Sequence, residues 1–242
     1  MEDKALLSTE VASGAEKAEL LIVIPAYNEA ENIERVVNHL TANFPQYDYV
    51  VVNDGSRDET AAICQRNGYN LLNLPVNLGL AGAFQAGLKY ADKYGYQYAV
   101  QLDGDGQHRP EYLESMIKKM EEDYDIVIGS RFVGEKKPFT MRMLGSNLIE
   151  MAIRFTTGVN IKDPTSGMRM FSKRMIREFA SGLNYGPEPD TVSYLIRQGA
   201  RVAEVPVIMD ERILGVSYLT PVNAMRYMPV SYTHLTLPTI RL

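Results

Sequence analysis

Asp103 and Asp105 stand one residue apart at the end of an apolar run, in "VQLDGDGQHRPE" (residues 100–111), with Gln107 and His108 directly behind them. Carboxylates at i and i+2 around a glycine can converge once a strand ends, because glycine permits backbone angles closed to other residues. Two carboxylates and an amide oxygen make an oxygen-only donor set. Mg²⁺ or Mn²⁺ prefers such ligands and fills the rest of its shell with water or phosphate. Acidic residues also serve in turns that hold no ligand, so both readings stand at this point. A Ca²⁺ loop of the EF-hand kind is excluded, since His108 falls where that loop needs glycine and a strand pattern precedes the motif.

The elements that must position these residues alternate regularly. "LLIVIPA" (20–26) reads as a buried strand, followed by Ile33, Val36, Val37 and Leu40 at helical spacing. "YVVVNDGS" (49–56), "NLLNLPV" (70–76), "YQYAVQLD" (96–103) and "DIVIGS" (125–130) read as four more strands. Between them lie a short helix over 58–66, a helix with Ala83, Phe84, Gly87, Leu88 and Ala91 on its apolar face, and a helix opened by Pro110 that carries Leu113, Met116, Ile117 and Met120. This alternation predicts an α/β fold, a mostly parallel central sheet with helices on both faces. Ligands of such sheets bind beyond the carboxyl ends of the strands. The polar residues gather at those ends: Pro25 to Glu29, Asn53 to Ser56, Asn77 to Gly79, Asp103 to Gln107, and Gly129 to Arg131.

Past residue 131 the pattern changes. "GEKKPF" (134–139) reads as a mobile loop, and Leu144, Leu148, Met151, Ala152 and Phe155 mark an amphipathic helix. "DPTSGMRMF" (163–171) is a turn-rich approach to a strand or edge. Val192, Leu195 and Ile196 belong to a helix closed by Gly199, and "RVAEVPVIM" (201–209) is the last strand. Residues 1–19 read as a flexible leader, 20–228 as a single domain, and 229–242 as a non-native tail. That tail, "PVSYTHLTLPTIRL", resembles translated read-through of a sequencing adapter.

The 242 residues, 45% of them apolar and 23% charged, suit a globular protein. A net charge of -5 gives no reason to expect nucleic acid as a partner. One cysteine, Cys64, forbids an intramolecular disulfide and suits a reducing, cytoplasmic setting. No apolar run approaches the roughly 18–20 residues of a membrane span.

Six segments in order, "VIPAYNEAENI", "VVNDGSRDET", "NLGLAGAFQAG", "LDGDGQHRPE", "IGSRFV" and "DPTSGMRMF", resemble the family 2 inverting glycosyltransferases of GT-A fold. The branch they are most similar to is that of the polyprenol-phosphate (dolichol-phosphate) mannosyltransferases. The resemblance runs from about residue 20 to 217. It implies that Pro25, Ala26, Tyr27 and Glu29 border a nucleotide, that Asp54 accepts from a base N–H, and that Asn77 and Gly79 lie beneath the nucleotide. Asn53 replaces the aspartate usual before Asp54. It also implies that Asp103, Asp105 and Gln107 hold a divalent metal on the diphosphate, and that Arg131 and Arg142 hold an acceptor phosphate. Asp163 and Ser166 then belong to a loop near the transferred sugar, and Arg212, Gly215 and Ser217 to a late basic loop over the diphosphate or acceptor.

Bland alternatives remain for several of these: a core-edge aromatic for Tyr27, a helix start for Asn77 and Gly79, surface salt bridges for the arginines, and a capping turn for "DPTSG". Glu188 and Asp190 in "GPEPD" are candidates for the general base if the acceptor is a hydroxyl. A lipid phosphate needs no base, and the two carboxylates then sit favourably at a helix N-terminus.

The implied reaction moves one sugar from a UDP- or GDP-sugar, with inversion, to a polyprenyl-phosphate or cell-envelope glycan acceptor. The complete absence of tryptophan excludes the Q/R-x-x-R-W signature of processive synthases. The expected setting is the cytoplasm, with peripheral contact at the inner face of the membrane through the helix around 141–155. A sugar-nucleotide pyrophosphorylase should open on a glycine-rich G-x-G-T-R-like loop, and this chain opens on "IPAYNEA". A non-catalytic nucleotide- or glycan-binding module is the other rival. A dinucleotide dehydrogenase is disfavoured because no G-x-G-x-x-G follows the first strand.

Overall fold

The computed structural model describes residues 18–133, 141–181 and 189–210. The chain divides into two compact units, whose described parts are residues 18–110, 170–181 and 210, and residues 111–133, 141–169 and 189–209. The predicted leader, the loop over 134–139 and the tail over 229–242 lie outside the described residues, apart from Ala18 and Glu19.

In the first unit, β1 (Leu20–Ala26), β2 (Asp48–Asp54), β3 (Leu71–Leu74) and β4 (Tyr98–Gln101) alternate with α1 (Ile33–Asn43), α2 (Thr60–Arg66) and α3 (Gly79–Tyr94). The strand order is β3-β2-β1-β4, with β6 (Arg169–Ser172) beside β4. β1 pairs in parallel with both β2 and β4, and β2 with β3. All four strands therefore present their carboxyl ends to one edge. Leu20 to Ile24 are fully buried, as a strand flanked on both sides and covered by helices requires.

α3 shows how closely the layers approach. Its face of Ala83, Phe84, Gly87, Leu88 and Ala91 is buried. A Cβ on Gly87 would lie 2.3 Å from Val23 Cγ1 on β1, so only glycine lets the helix rest there. Phe84 packs against Phe171 and Phe179, with ring centroids 5.4 and 6.2 Å away. Phe179 sits on α6 (Lys173–Ser181), whose buried Met175, Ile176 and Phe179 stand at helical spacing. It is nine residues long and opens on Lys173 and Arg174, cations at the end of the helix dipole that favours acids. Cys64 on α2 is fully buried, and burial pushes its thiol up to about 11.

The loops after β1 and β2 are stitched together by side chains. Asn28, held at φ 55°, accepts from the Arg57 N–H at 2.9 Å and donates its own N–H to Ser56 Oγ at 3.0 Å. The Glu29 N–H donates to Thr60 Oγ1 at 2.9 Å. Asp58 accepts from the Thr60 N–H and hydroxyl and, through its other oxygen, from the Ala30 N–H at 3.1 Å. Burial works to raise the Asp58 pKa, yet the donated hydrogen bonds from Thr60 and Ala30 outweigh it and hold the carboxyl below its ordinary value.

In the second unit, β5 (Ile126–Ser130) is buried throughout and pairs in parallel with β7 (Val202–Pro206). α4 (Leu113–Met120) follows a 3₁₀ turn at Pro110–Tyr112, as the proline predicts. α5 (Met141–Thr157) and α7 (Pro189–Arg197) complete the unit, and Gly199 ends α7's turn at φ 86°. The buried side of α5 carries Ile149, Ala152 and Ile153. Leu148, Met151 and Phe155, expected on one apolar face, are exposed instead, Met151 by 62% and Phe155 by 92%.

Gly87→Ala should lower unfolding free energy by about 1–3 kcal/mol through overpacking against Val23, measured by denaturant titration. Asp58→Asn should cost about 1 kcal/mol or less at neutral pH, since the group is exposed. Because the folded pKa is depressed, that contribution is whole above the ordinary carboxylate value of 3.8 and is lost as pH falls through the lower folded value. The stability difference between wild type and Asp58→Asn should therefore close only on acidification, in melts run from pH 7 to 3.

Candidate active site

β4 ends at Gln101, and Leu102 donates its N–H to Val23 O at 3.0 Å before the chain turns away as Asp103-Gly104-Asp105-Gly106-Gln107. Gly104 has little room: a Cβ there would stand 3.1 Å from Pro25 O. Gly106 holds φ 79°, and a Cβ would collide with the Arg35 guanidinium at 2.7 Å. Gly106 is thus favoured by its left-handed backbone, and Gly104 by its close approach to the Pro25 carbonyl.

Asp103 is about a third exposed, whereas Asp105 is buried and accepts the Gln107 N–H at 3.0 Å. Gln101 Nε2 donates to Asp103 Oδ1 at 2.9 Å. The Asp103 N–H donates to His108 Nδ1 at 3.0 Å. From α1, Arg35 Nη2 donates to the Asp105 carbonyl at 3.0 Å and to Asn32 Oδ1 at 3.3 Å. Asn32 in turn donates to Glu29 Oε2 at 2.9 Å. A continuous hydrogen-bonded path thus joins Glu29 to the Asp105 loop within the first unit.

Gln107 Nε2 donates to the Asp210 carbonyl at 3.2 Å, and the Asp210 N–H returns to Gln107 O at 2.9 Å. Arg109 pairs with Asp210 through Nε at 2.8 Å and through Nη2. This hydrogen-bonded pairing holds the Asp210 carboxyl below the usual carboxylate range. Among the described residues no group of three or more His, Cys, Asp and Glu is placed to hold a metal alone. The candidate set is two carboxylates plus the Gln107 amide on one loop, hard oxygen donors that suit Mg²⁺ or Mn²⁺ with phosphate completing the shell.

The other residues expected around a nucleotide lie at the neighbouring strand ends. Pro25 and Ala26 close β1, and Tyr27 is exposed just beyond, not at a core edge. Asp54, buried at the end of β2, accepts the Leu78 N–H at 2.7 Å, while Asn77 Nδ2 donates to the Asp54 carbonyl at 3.1 Å. Asn77 Oδ1 accepts the Gly79 N–H, so these residues do build a helix start; they do it on Asp54. Asn53 pairs with Asn73 on β3 at 2.6 Å.

The second unit carries a separate charged cluster. Asp163 is fully buried and receives Arg131 three ways: Nε at 2.7 Å, Nη2 at 2.8 Å and the backbone N–H at 3.1 Å. Glu204 on β7 accepts the Lys162 and Asp163 N–H groups, each at 2.8 Å. Ser166 Oγ donates to the Gly129 carbonyl at 2.6 Å, and Arg169 donates to the Ser166 and Pro164 carbonyls at 2.8 and 2.6 Å. Arg131 is therefore the half-buried partner of a fully buried carboxylate. Asp190 lies in the first turn of α7. Arg142 lies on α5, but its side chain is outside the described positions, as are Glu188, Arg212, Gly215 and Ser217. Arg35, Asn32, Gln101, Arg109 and Asp58 carry no signal in the sequence. Arg35 and Arg109 meet partners 70 and 101 positions away, while Asn32, Asp58 and Gln101 bond near neighbours as ordinary polar residues do.

The family model described as glycosyl transferase family 2 matches residues 21–179. Polyprenol monophosphomannose synthase of Mycolicibacterium smegmatis is 31% identical, over 86% of this chain and 83% of its own. Undecaprenyl-phosphate mannosyltransferase of Micrococcus luteus is 31% identical, over 83% of this chain and 87% of its own. UDP-N-acetylglucosamine–dolichyl-phosphate N-acetylglucosaminyltransferase of Methanococcus voltae is 30% identical, over 78% and 84%. Among solved structures, glucosyl-3-phosphoglycerate synthase from Mycobacterium tuberculosis superposes with a TM-score of 0.65 at 20% identity, covering 91% of this chain and 81% of that one. The same enzyme with Mn²⁺, UDP and glucosyl-3-phosphoglycerate gives 0.63 at 18%, with the same coverage. With its parallel strands, covering helices and these relatives, the chain belongs to glycosyl transferase family 2 and is a glycosyltransferase of GT-A fold, in the branch of the polyprenol-phosphate sugar transferases.

Proposed function

We propose that the protein transfers one sugar from a UDP- or GDP-sugar to a polyprenyl phosphate, with inversion and with a divalent metal. The observation that carries this reading is the oxygen-donor loop Asp103–Gln107 at the end of β4, in a chain 31% identical to two polyprenyl-phosphate mannosyltransferases.

In this reading an acceptor phosphate oxygen attacks the anomeric carbon on the face opposite the diphosphate. The bond from that carbon to the diphosphate oxygen breaks, and the nucleoside diphosphate leaves. Asp103, Asp105 and Gln107 would hold Mg²⁺ or Mn²⁺, which would supply Lewis-acid stabilisation of the leaving diphosphate. Pro25, Ala26, Tyr27, Glu29, Asp54, Asn77 and Gly79 border the nucleotide. Arg131 and Arg142 take the acceptor phosphate, for which a guanidinium fork is well shaped. Asp163 keeps the Arg131 guanidinium in one orientation through two of its nitrogens. Arg212 supplies positive charge to the diphosphate or the acceptor. A phosphate acceptor is already anionic, so Glu188 and Asp190 need not remove a proton, and Asp190 instead favours the α7 N-terminus.

The acceptor's lipid also gives the exposed face of α5 a role. Leu148, Met151 and Phe155 lie at i, i+3 and i+7, on one side of the helix, and are all exposed. No helix among the described residues is long and apolar enough to cross a membrane. In this reading the enzyme works at the cytoplasmic face of the membrane, in peripheral contact through α5.

Calorimetry with UDP and with GDP, each with and without Mn²⁺, should show one nucleotide bound at least tenfold more tightly with metal, and Asp105→Ala should abolish that difference. Binding of neither nucleotide under any condition would leave a non-catalytic module. Co-sedimentation with phospholipid vesicles should recover the wild type, and the triple variant Leu148→Ser, Met151→Ser, Phe155→Ser should stay in the supernatant.

A further inference from the structure

Resting on the metal reading of Asp103, Asp105 and Gln107, we propose that His108 is a positioning residue. Its buried imidazole, together with Gln101, fixes the backbone and carboxylate of Asp103 in the orientation that receives the cation.

The His108 side chain is only 3% exposed, too enclosed to meet substrate itself. Its Nδ1 accepts the Asp103 N–H at 3.0 Å, which closes the loop across five residues. An Nδ1 that accepts carries no hydrogen, so the proton of the neutral ring sits on Nε2. Nε2 stands 3.7 Å from Asp103 Oδ2. That is beyond hydrogen-bond length, yet the N–H dipole lies beside the carboxylate. On the other oxygen, Gln101 Nε2 donates to Oδ1 at 2.9 Å.

Gln101 is 1% exposed, and its Oε1 finds no hydrogen-bond partner among the described residues. Leaving a buried carbonyl unsatisfied is costly, and turning the amide over would aim that oxygen at the carboxylate. The amide orientation is therefore set by Asp103. Each Asp103 oxygen thus neighbours an N–H from a buried side chain, while the carboxylate keeps its partial exposure for a ligand. Groups behind a metal ligand commonly set both its direction and its basicity, with losses of about 10–100-fold in metal affinity when they are removed.

The test is a Mn²⁺ titration followed by loss of the free-ion electron paramagnetic resonance signal, with UDP and with GDP present in separate series. It is run beside thermal melts of the metal-free proteins. His108→Ala should weaken Mn²⁺ binding about tenfold or more. His108→Asn, whose Oδ1 can replace Nδ1 as the acceptor, should recover most of the affinity. Gln101→Leu should weaken Mn²⁺ binding while melting as a folded protein, and it keeps the question answerable if His108→Ala does not fold.

Wild-type affinity in either His108→Ala or Gln101→Leu would overturn the proposal. So would an Asn variant that folds like wild type but binds as weakly as Ala, since the imidazole would then be filling space only. A wild type that takes up no Mn²⁺ with either nucleotide would instead sink the metal reading on which the proposal stands.

Discussion

Two carboxylates at i and i+2, at the end of a buried strand, each need hydrogen-bond partners, and the first unit supplies them. Asp105 accepts the Gln107 N–H from its own loop, and Asp103 is met by Gln101 and faced by His108. The Arg35 guanidinium rests on Gly106 and takes the Asp105 carbonyl, adding a fixed positive charge behind the pair. Because Gly106 must keep φ 79° beneath that guanidinium, loop shape and electrostatics have the same solution. A cation in front of the pair would finish what the protein groups behind it begin.

The second unit handles charge differently. Asp163 is wholly buried, and an unpaired carboxylate there would be strongly unfavourable. Arg131 answers it with a planar fork that matches both oxygens, a geometry lysine cannot supply. Glu204 takes the backbone N–H groups at 162 and 163, so the turn is held from the β7 side as well. Buried pairs of this kind add little net stability compared with apolar packing, but losing one partner is severe. The "DPTSG" turn is thus tied to Arg131 on one side and to β7 on the other.

The parallel sheet and most of its helices were legible because each rests on a local pattern. β1 and β5 are short apolar runs, and the face of α3 repeats at helical spacing. α6 is harder to read: Met175, Ile176 and Phe179 stand at i, i+1 and i+4, but that helical spacing spans little more than one turn, and the first two side chains oppose the helix dipole. The outward turn of Leu148, Met151 and Phe155 was equally hidden, since periodicity shows that an apolar face exists and not which side of the helix is covered. At the site, the residue types at 103, 105 and 107 announced a donor set, while its supports did not. Arg35 and Asp105 are 70 positions apart, and Arg131 and Asp163 are 32 apart. Such pairings depend on which strand lies beside which.

The burial of Cys64 has a practical side. The chain's one thiol is sealed inside α2's packing with its ionisation pushed up to about 11, so the folded surface is inert to maleimides and other thiol reagents near neutral pH. A pair of cysteines introduced at exposed positions, one on each unit, would therefore carry the only labels, without first stripping the native residue. That makes distances between chosen points on the two compact units directly measurable by spectroscopy in the otherwise unaltered protein.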